Sequence, residues 1–219
     1  MACSSIPSGW EAFRLKGEIK SIQETRYDAE LASGTDWQAT GLTHYSLFYS
    51  FDESGNLTNS KIFMDGRDNL VRETIPVYVD GKLTRMLNSG RSGEKESESI
   101  LTEEEKDYQV WSTYDIDGQL ESRHCKVFQK GLLMSDTLTS YSDMGEVLLY
   151  SESSFTYNRD GTIHSRRQFI KGEGTVSYSM DYLEYDHQGN WTRRLEYGDD
   201  PELGNAQDRK ITVREIVYY

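Results

Sequence analysis

Proline, cysteine and long apolar runs are scarce in this sequence. There are 3 prolines and 2 cysteines, Cys3 and Cys125, among 219 residues. Only 36% of the residues are hydrophobic, against about 45–50% in an ordinary compact domain. No stretch approaches the about 18 consecutive apolar residues of a membrane-spanning helix. The sequence therefore excludes a helical membrane span and argues against a thick apolar core.

Basic residues are also in deficit. The chain has 24 Lys and Arg against 37 Asp and Glu, which gives a net charge of -13 and a pI near 4.8. Phosphate backbones and anionic membrane surfaces would be repelled, so we expect no nucleic-acid partner and no membrane contact except through a lipid anchor. The simplest interpretation of the charge is a well-solvated surface, and the alternative is a basic ligand or a cation partner.

Motifs for common chemistries are missing. There is neither a Gly-x-Ser-x-Gly elbow nor a phosphate-binding glycine loop. Asp115 and Asp117 suggest a calcium-binding loop of the EF-hand type. That motif would place its first ligand at Thr113 and its last at His124, and neither residue suits its position. The four histidines show no paired metal spacing, so no metal or cofactor is expected: His44, His124, His164 and His187. With 37 carboxylates, a catalytic acid pair stays open.

Aromatic residues and glycines are abundant. Aromatics make up 12% of the chain, with 15 Tyr, and there are 18 Gly. The aromatic content argues against disorder, and tyrosine suits a thin sheet whose two faces are partly wet. One pattern recurs: an aromatic residue, two or three turn residues, Gly, any residue, then an aliphatic residue. Its copies begin at Phe51, Phe63, Tyr78, Tyr114, Phe128, Tyr141, Tyr157, Phe169 and Tyr185.

This pattern predicts β-hairpins. Glycine supplies the positive φ of a tight turn, and Asp or Asn stabilises the turn through side-chain bonds to the backbone. The aromatic and aliphatic residues that flank each turn are expected to pair across two strands, at about 0.2–1 kcal/mol per pair. We therefore predict an all-β fold of about fourteen strands. The expected form is a single elongated antiparallel meander of repeated β-hairpins, as a twisted single-layer or solenoid-like sheet.

The predicted domain organisation is simple. Residues 1–9 are expected to be a flexible leader, and 10–219 one β-hairpin repeat domain. Trp10, Phe13 and Leu15 are expected to form one turn of helix or a cap over the first hairpin. The acidic segment 88–107 interrupts the pattern and is a possible irregular insert. We favour a charged loop or edge strand there; a short helix at Thr102–Glu105 and a domain boundary are the alternatives.

Three copies of the pattern carry a further signal: Tyr114-Asp-Ile-Asp-Gly-Gln-Leu, Tyr157-Asn-Arg-Asp-Gly-Thr-Ile and Tyr185-Asp-His-Gln-Gly-Asn-Trp. They resemble YD (Rhs-type) repeats and, more loosely, MORN hairpins, over about 45–219. The whole chain is similar to uncharacterised secreted or lipid-anchored proteins of gut bacteria. The resemblance implies a cell-envelope location, lipid-anchored or periplasmic, over a cytoplasmic one. The chain lacks the great length and toxin-like terminal domain of Rhs proteins, so toxin delivery is not expected.

Function is the least determined property. We predict a non-enzymatic envelope protein that binds a protein or glycan, or acts as a scaffold. The candidate binding residues flank two turns: Trp111, Tyr114, Tyr185 and Trp191. The structural alternative is that these rings are cross-strand packing. Cys3, after a small residue, is a candidate lipid-attachment site. Two other functions stay open: a carbohydrate-active enzyme with carboxylates on a concave sheet face, and a chaperone-like partner of an operon neighbour.

Overall fold

The fold is all-β, as predicted. The computed structural model describes residues 9–34, 36–64, 69–199 and 209–219. Fourteen strands form within these residues: β1 (Ile19–Ser33), β2 (Asp36–Phe51), β3 (Leu57–Met64), β4 (Leu70–Val79), β5 (Lys82–Ser89), β6 (Lys95–Glu105), β7 (Tyr108–Asp115), β8 (Leu120–Gln129), β9 (Leu132–Tyr141), β10 (Val147–Tyr157), β11 (Ile163–Ile170), β12 (Gly174–Tyr185), β13 (Trp191–Asp199) and β14 (Arg209–Tyr218). The predicted leader, apart from Gly9, lies outside the described residues.

The hairpin pattern has the predicted register. The aromatic residue before a turn is the cross-strand partner of the aliphatic residue after it, and a β-bulge lies beside the pair. Six hairpins show this pairing: Phe51↔Leu57, Phe63↔Leu70, Tyr114↔Leu120, Phe128↔Leu133, Tyr141↔Val147 and Tyr157↔Ile163. The local rule read from the sequence is therefore confirmed for the hairpins that these pairs cover.

The turn after β7 shows why the pattern needs these residues. Asp115 N–H donates to the carbonyl of Gln119 at 2.9 Å, and Gly118 N–H donates to the carbonyl of Asp115 at 3.2 Å. The Asp115 carboxylate accepts from the N–H groups of Asp117 and Gln119 at 2.9 and 2.8 Å. Gly118 has φ +81°, which a side chain would strain. The Asp115 carboxylate, a candidate calcium ligand in the sequence, therefore stabilises the turn by accepting two backbone hydrogen bonds.

The sheet is closed, and the predicted open meander is wrong. Each strand pairs with its sequence neighbours, and β1 also pairs with β14, so the strand order is that of a closed 14-stranded antiparallel barrel. The β1–β14 register runs from Ile19↔Tyr218 to Asp28↔Lys210. An open meander would leave the outer edges of both strands without backbone partners, and their pairing removes both edges.

The described residues fall into two compact units. The central unit comprises 75–177, and the terminal unit comprises 9–74 together with 178–219. The prediction of one repeat domain over 10–219 stays a prediction.

In the central unit, the acidic segment 88–107 is part of the sheet. It contains β6, which pairs with β5 on one side and with β7 on the other. This segment is therefore neither a loop nor an edge strand, and Thr102–Glu105 is extended rather than helical. Buried polar contacts hold it in place: the Asn88 amide donates to the hydroxyls of Ser97 and Ser99 at 3.3 Å each.

In the terminal unit, the N-terminal segment forms the predicted cap. Gly9–Glu11 is one 3-10 turn. Trp10, Phe13 and Leu15 pack on a core cluster of Ile19, Ile22 and Phe51. The Trp10 indole N–H donates to the carbonyl of Ile19 at 2.9 Å, and the Trp10 backbone N–H donates to the carbonyl of Gly55 at 3.0 Å.

A second contact joins both ends of the chain to the turn after β12. Asn190 accepts from the Lys16 backbone N–H and donates to the Lys16 carbonyl, both at 2.8 Å. The Asn190 amide also donates to the Tyr218 hydroxyl at 2.9 Å, and this hydroxyl donates to Asp186. Burial and the bond to Asp186 raise the pKa of Tyr218 to about 12. We call these residues the terminal latch: Lys16, Asp186, Asn190 and Tyr218.

The cap yields a prediction at Gly55. A Cβ on Gly55 would lie 2.6 Å from the Trp10 ring, whereas a Cβ on Gly118 would meet nothing within 4 Å. Both glycines have positive φ, so each alanine variant carries backbone strain of about 1–2 kcal/mol. We expect Gly55→Ala to lose at least about 1 kcal/mol more free energy of unfolding than Gly118→Ala, because the ring must move. Urea unfolding measures both, and equal losses would contradict the cap.

The terminal latch yields a prediction about alkaline pH. Because the pKa of Tyr218 in the folded state is raised to about 12, above the ordinary value of about 10, its contribution is complete below about pH 10 and is lost as pH rises towards the folded pKa. The wild type should therefore lose more free energy of unfolding than Tyr218→Phe between about pH 9 and 12. Urea titrations at each pH test this, with Tyr114→Phe as control; parallel profiles for the wild type and Tyr218→Phe would refute it.

Candidate binding surfaces

The four aromatic residues predicted to bind a ligand lie in two different settings. In the central unit, Trp111 is buried, with its indole N–H donating to Gln109 at 3.2 Å, and Tyr114 is half-buried at the end of β7. In the terminal unit, Trp191 is buried and Tyr185 is 49% exposed. The two indoles offer no open ring face to a ligand, and Tyr185 has the most accessible ring of the four. Their binding role stays a prediction.

Trp191 lies within a network of aromatic and cationic side chains. The Tyr182 ring contacts the rings of Tyr185 and Trp191, with centroids 6.5 and 5.7 Å apart. The Arg214 guanidinium lies 3.5 Å from the centroid of the Trp191 ring, and the Arg194 guanidinium lies 4.9 Å from it. Trp191 therefore acts here as a platform for arginines, which attract the negative face of its ring.

Ion pairs surround this platform on one face of the sheet. Arg214 pairs with Glu24 at 2.5 Å, Arg26 with Glu196 at 2.6 Å, and Lys210 with Asp28 at 2.6 Å. The register makes Glu24 and Arg214 direct cross-strand partners, and cross-strand partners share a face. We call this set the charged face: Glu24, Arg26, Asp28, Arg194, Glu196, Lys210 and Arg214.

Burial makes the charged face energetically important. Arg214 and Glu196 are 6% and 4% exposed. Burial lowers the pKa of Arg214, and Glu24 opposes this by stabilising the cation. Burial also raises the pKa of the nearby Tyr49 hydroxyl, with the Glu24 charge adding to the shift. Taking charges out of water costs several kcal/mol per ion, so each must keep its partner.

The charged face had only a weak signal in the sequence. Its members recur at every second position, as in Glu24, Arg26 and Asp28 or in Arg194 and Glu196. Such spacing places charges on one side of a strand. Their partners lie up to 190 residues apart along the chain, as for Glu24 and Arg214, so which charges meet was not readable from either segment alone.

The central unit carries an open groove between two hairpin turns. Its volume is about 410 Å³, and it is lined by Gln119, Leu120, Arg123, Tyr141, Ser142, Asp143 and Gly145. Arg123 pairs with Glu103 at 3.1 Å, and the Ser142 hydroxyl accepts from two N–H groups of its own turn. Among the described residues, the side chains of Gln119, Tyr141 and Asp143 have no hydrogen-bond partner. The groove thus combines an aromatic ring with unused donors and acceptors.

Other candidate sites are limited. No cluster of three or more His, Cys, Asp and Glu suited to a metal ion is found in 9–34, 36–64, 69–199 and 209–219. In the same part of the chain, no helix is long and apolar enough to cross a membrane. Cys125 is a half-buried free thiol, and the predicted lipid-attachment residue Cys3 lies outside the described residues.

Comparison with known proteins concerns the fold. No family model and no curated protein matches the chain. A porin-like protein from Bacteroides uniformis has 12% sequence identity and a TM-score of 0.52, over 93% of this chain and 99% of that chain. A porin-like protein from Bacteroides vulgatus has 10% identity and a TM-score of 0.44, over 92% and 98% of the two chains.

The first of these likenesses shows a shared all-β fold over nearly the full length of both chains. Together with the closed strand order, it overturns the resemblance to YD (Rhs-type) and MORN-like repeats. That resemblance rested on hairpin turns, and the same turns occur here between the strands of a closed barrel. The turn pattern is therefore specific for hairpins and not for the architecture that contains them.

The buried Glu24–Arg214 pair yields a prediction about stability. Glu24→Gln would leave the Arg214 cation buried without its counter-charge, at an expected cost of about 3–5 kcal/mol in free energy of unfolding. The matched control is Glu103→Gln, whose pair with Arg123 is 55% and 41% exposed and is expected to contribute at most about 1 kcal/mol. Chemical denaturation compares the two variants; similar losses would show that the charged face is well hydrated.

Proposed function

We propose that the protein is a non-enzymatic binding protein of the cell envelope, and that it binds a neutral glycan in the groove of the central unit. The observation that carries this proposal is the groove itself, in which the Tyr141 ring lies beside the free polar groups of Gln119 and Asp143. The envelope location rests on the fold shared with a porin-like protein of Bacteroides and on the predicted anchor.

Charge on both sides of the strands favours an aqueous part of the envelope. Successive residues of a strand point to opposite faces, so two adjacent charged residues place charge on both. An outer-membrane barrel instead keeps one face apolar over a band about 25 Å tall. Adjacent charges occur within several strands, among them Arg72-Glu73 in β4, Lys95-Glu96 in β6, Arg166-Arg167 in β11, Arg193-Arg194 in β13 and Arg214-Glu215 in β14. These pairs argue for a barrel in water rather than in lipid.

The chemistry of the groove suits a sugar. A phenol ring provides an amphipathic surface on which an apolar sugar face can pack. The Gln119 amide both donates and accepts, and the Asp143 carboxylate accepts, so both match sugar hydroxyls. The net charge of -13 disfavours an acidic glycan. A neutral saccharide therefore fits better than a charged one.

The same groove does not favour the enzymatic alternative. Glycosidases ordinarily need two carboxyl groups on opposite sides of the scissile bond, about 5–10 Å apart. Asp143 is the single carboxylate among the seven residues that line the groove. The groove can thus hold a sugar, but it does not supply an acid and a base or nucleophile, which supports binding without hydrolysis.

Truncation of Tyr141 tests the glycan site. Tyr141→Ala should weaken binding about tenfold or more, because aromatic anchors dominate binding energy. Calorimetric titrations with maltohexaose, cellohexaose and mannohexaose provide neutral probes, and an oligogalacturonate provides an acidic one. The matched control is Tyr157→Ala, which removes the equivalent aromatic residue before the turn after β10 but does not line the groove. Equal weakening by both variants, or binding to none of the neutral probes, would contradict the proposal.

The proposed lipid anchor is tested separately. If Cys3 is lipidated, protein produced from the native gene should enter the detergent phase on Triton X-114 partitioning, and Cys3→Ala should move it to the aqueous phase. Cys125→Ala, at the second cysteine, is the control and should leave the partitioning unchanged. Wild-type protein in the aqueous phase would contradict the anchor while leaving the glycan site untouched.

A further inference from the structure

The charged face of the terminal unit has more cations than carboxylates among the residues that the structure describes. These residues supply four cations and three carboxylates. Glu24 pairs with Arg214, Asp28 pairs with Lys210, and the Glu196 carboxylate lies closest to Arg26. Within this described set one cation is in excess, and Arg194 is the cation whose carboxylate partner is the most distant, at 3.9 Å.

Arg194 has little to compensate its burial. Its only ion-pair contact among the described residues is to the far oxygen of Glu196 at 3.9 Å, a carboxylate already bonded to Arg26 at 2.6 Å. Its Nε is buried and has no hydrogen-bond partner there. Arg194 also lies close enough to Arg214 to lower that residue's pKa. A largely buried guanidinium whose Nε lacks a hydrogen-bond partner, beside another cation, is costly unless something else accepts that hydrogen bond.

The geometry points to a missing anion. We propose that Arg194, on its Trp191 platform, binds an oxyanion group, a carboxylate or phosphate, in the charged face of the terminal unit. Guanidinium presents paired N–H groups in a planar fork that matches two oxygens of such a group. The Arg194 side chain is 17% exposed, which leaves it partly accessible to solvent. One negative charge would balance the face.

This site is independent of the proposed glycan groove. It lies in the terminal unit rather than the central unit, and it takes an anionic rather than a neutral group. The aromatic platform also differs in role, because Trp191 is buried and stacks on arginines rather than on ligand. A negative result in the anion titration would therefore not bear on the glycan proposal, and a negative result in the glycan titrations would not bear on the Arg194 site.

The test is an anion titration of the full chain at constant ionic strength. Sodium acetate and sodium phosphate serve as separate probes of the two oxyanion sources, against sodium chloride alone. The expected result is a saturable shift of the Arg194 Nε–Hε resonance with one or both probes, and a rise in melting temperature over the same concentration range. The resonance is assigned by its loss in Arg194→Gln.

Two variants separate binding from general charge effects. Arg194→Gln should weaken the probe affinity at least about tenfold, since it removes charge-assisted hydrogen bonds. Arg85→Gln makes the same charge change at an exposed pair with Glu98 and should leave the affinity unchanged. In chloride alone, Arg194→Gln should melt no lower than the wild type, because it removes a cation beside Arg214.

Three results would overturn the proposal. These are no resonance shift with either probe, a shift that rises linearly without saturation, or an equal loss of affinity in Arg85→Gln. If Arg194→Gln does not fold, Arg194→Lys, which keeps the charge but has no Nε–Hε group, assigns the resonance, and the wild-type titration then decides by whether this signal saturates. Saturation with acetate alone would identify a carboxylate ligand, and saturation with phosphate alone a phosphate ligand.

Discussion

Pairing between the first and last strands is the constraint on which the rest of the structure depends. The β1–β14 register brings Glu24 beside Arg214 and Asp28 beside Lys210, and so creates the ion pairs of the charged face. The backbone hydrogen bonds of two strands would otherwise be unmet at the sheet edges. The terminal latch adds to this closure, because Asn190 holds Lys16 by two hydrogen bonds.

The charged face shows how a chain of low apolar content can have a defined interior. Arg214 and Glu196 are buried, yet each has an ion-pair partner, and Trp191 packs against two guanidinium groups. Such arrangements stabilise less than apolar packing of the same volume, but they penalise any pairing that leaves a charge alone. Arg194, which has the weakest compensation, is thereby the residue at which the network is open to a ligand.

Local features were predictable because they depend on neighbours in sequence. The pairing of Tyr114 with Leu120, the positive φ of Gly118 and the cap formed by Trp10 all agree with the predictions from the sequence. The acidic segment that contains β6 was not recognised as a paired strand, because its core-facing residues are Ser97 and Ser99 rather than apolar ones. Nor was the groove recognised, since it forms only when the turns after β7 and β9 lie side by side.

The sequence by itself determined the strands, their number and the chemistry of their turns, because Gly, Asp and aromatic residues act within about ten positions of one another. Only the tertiary structure decided that the sheet closes and which charges are buried together. Closure depends on hydrogen bonds between Ile19 and Tyr218 and their neighbours, 199 positions apart. A repeat pattern carries no information about that pairing, since an open array and a closed barrel contain the same hairpins.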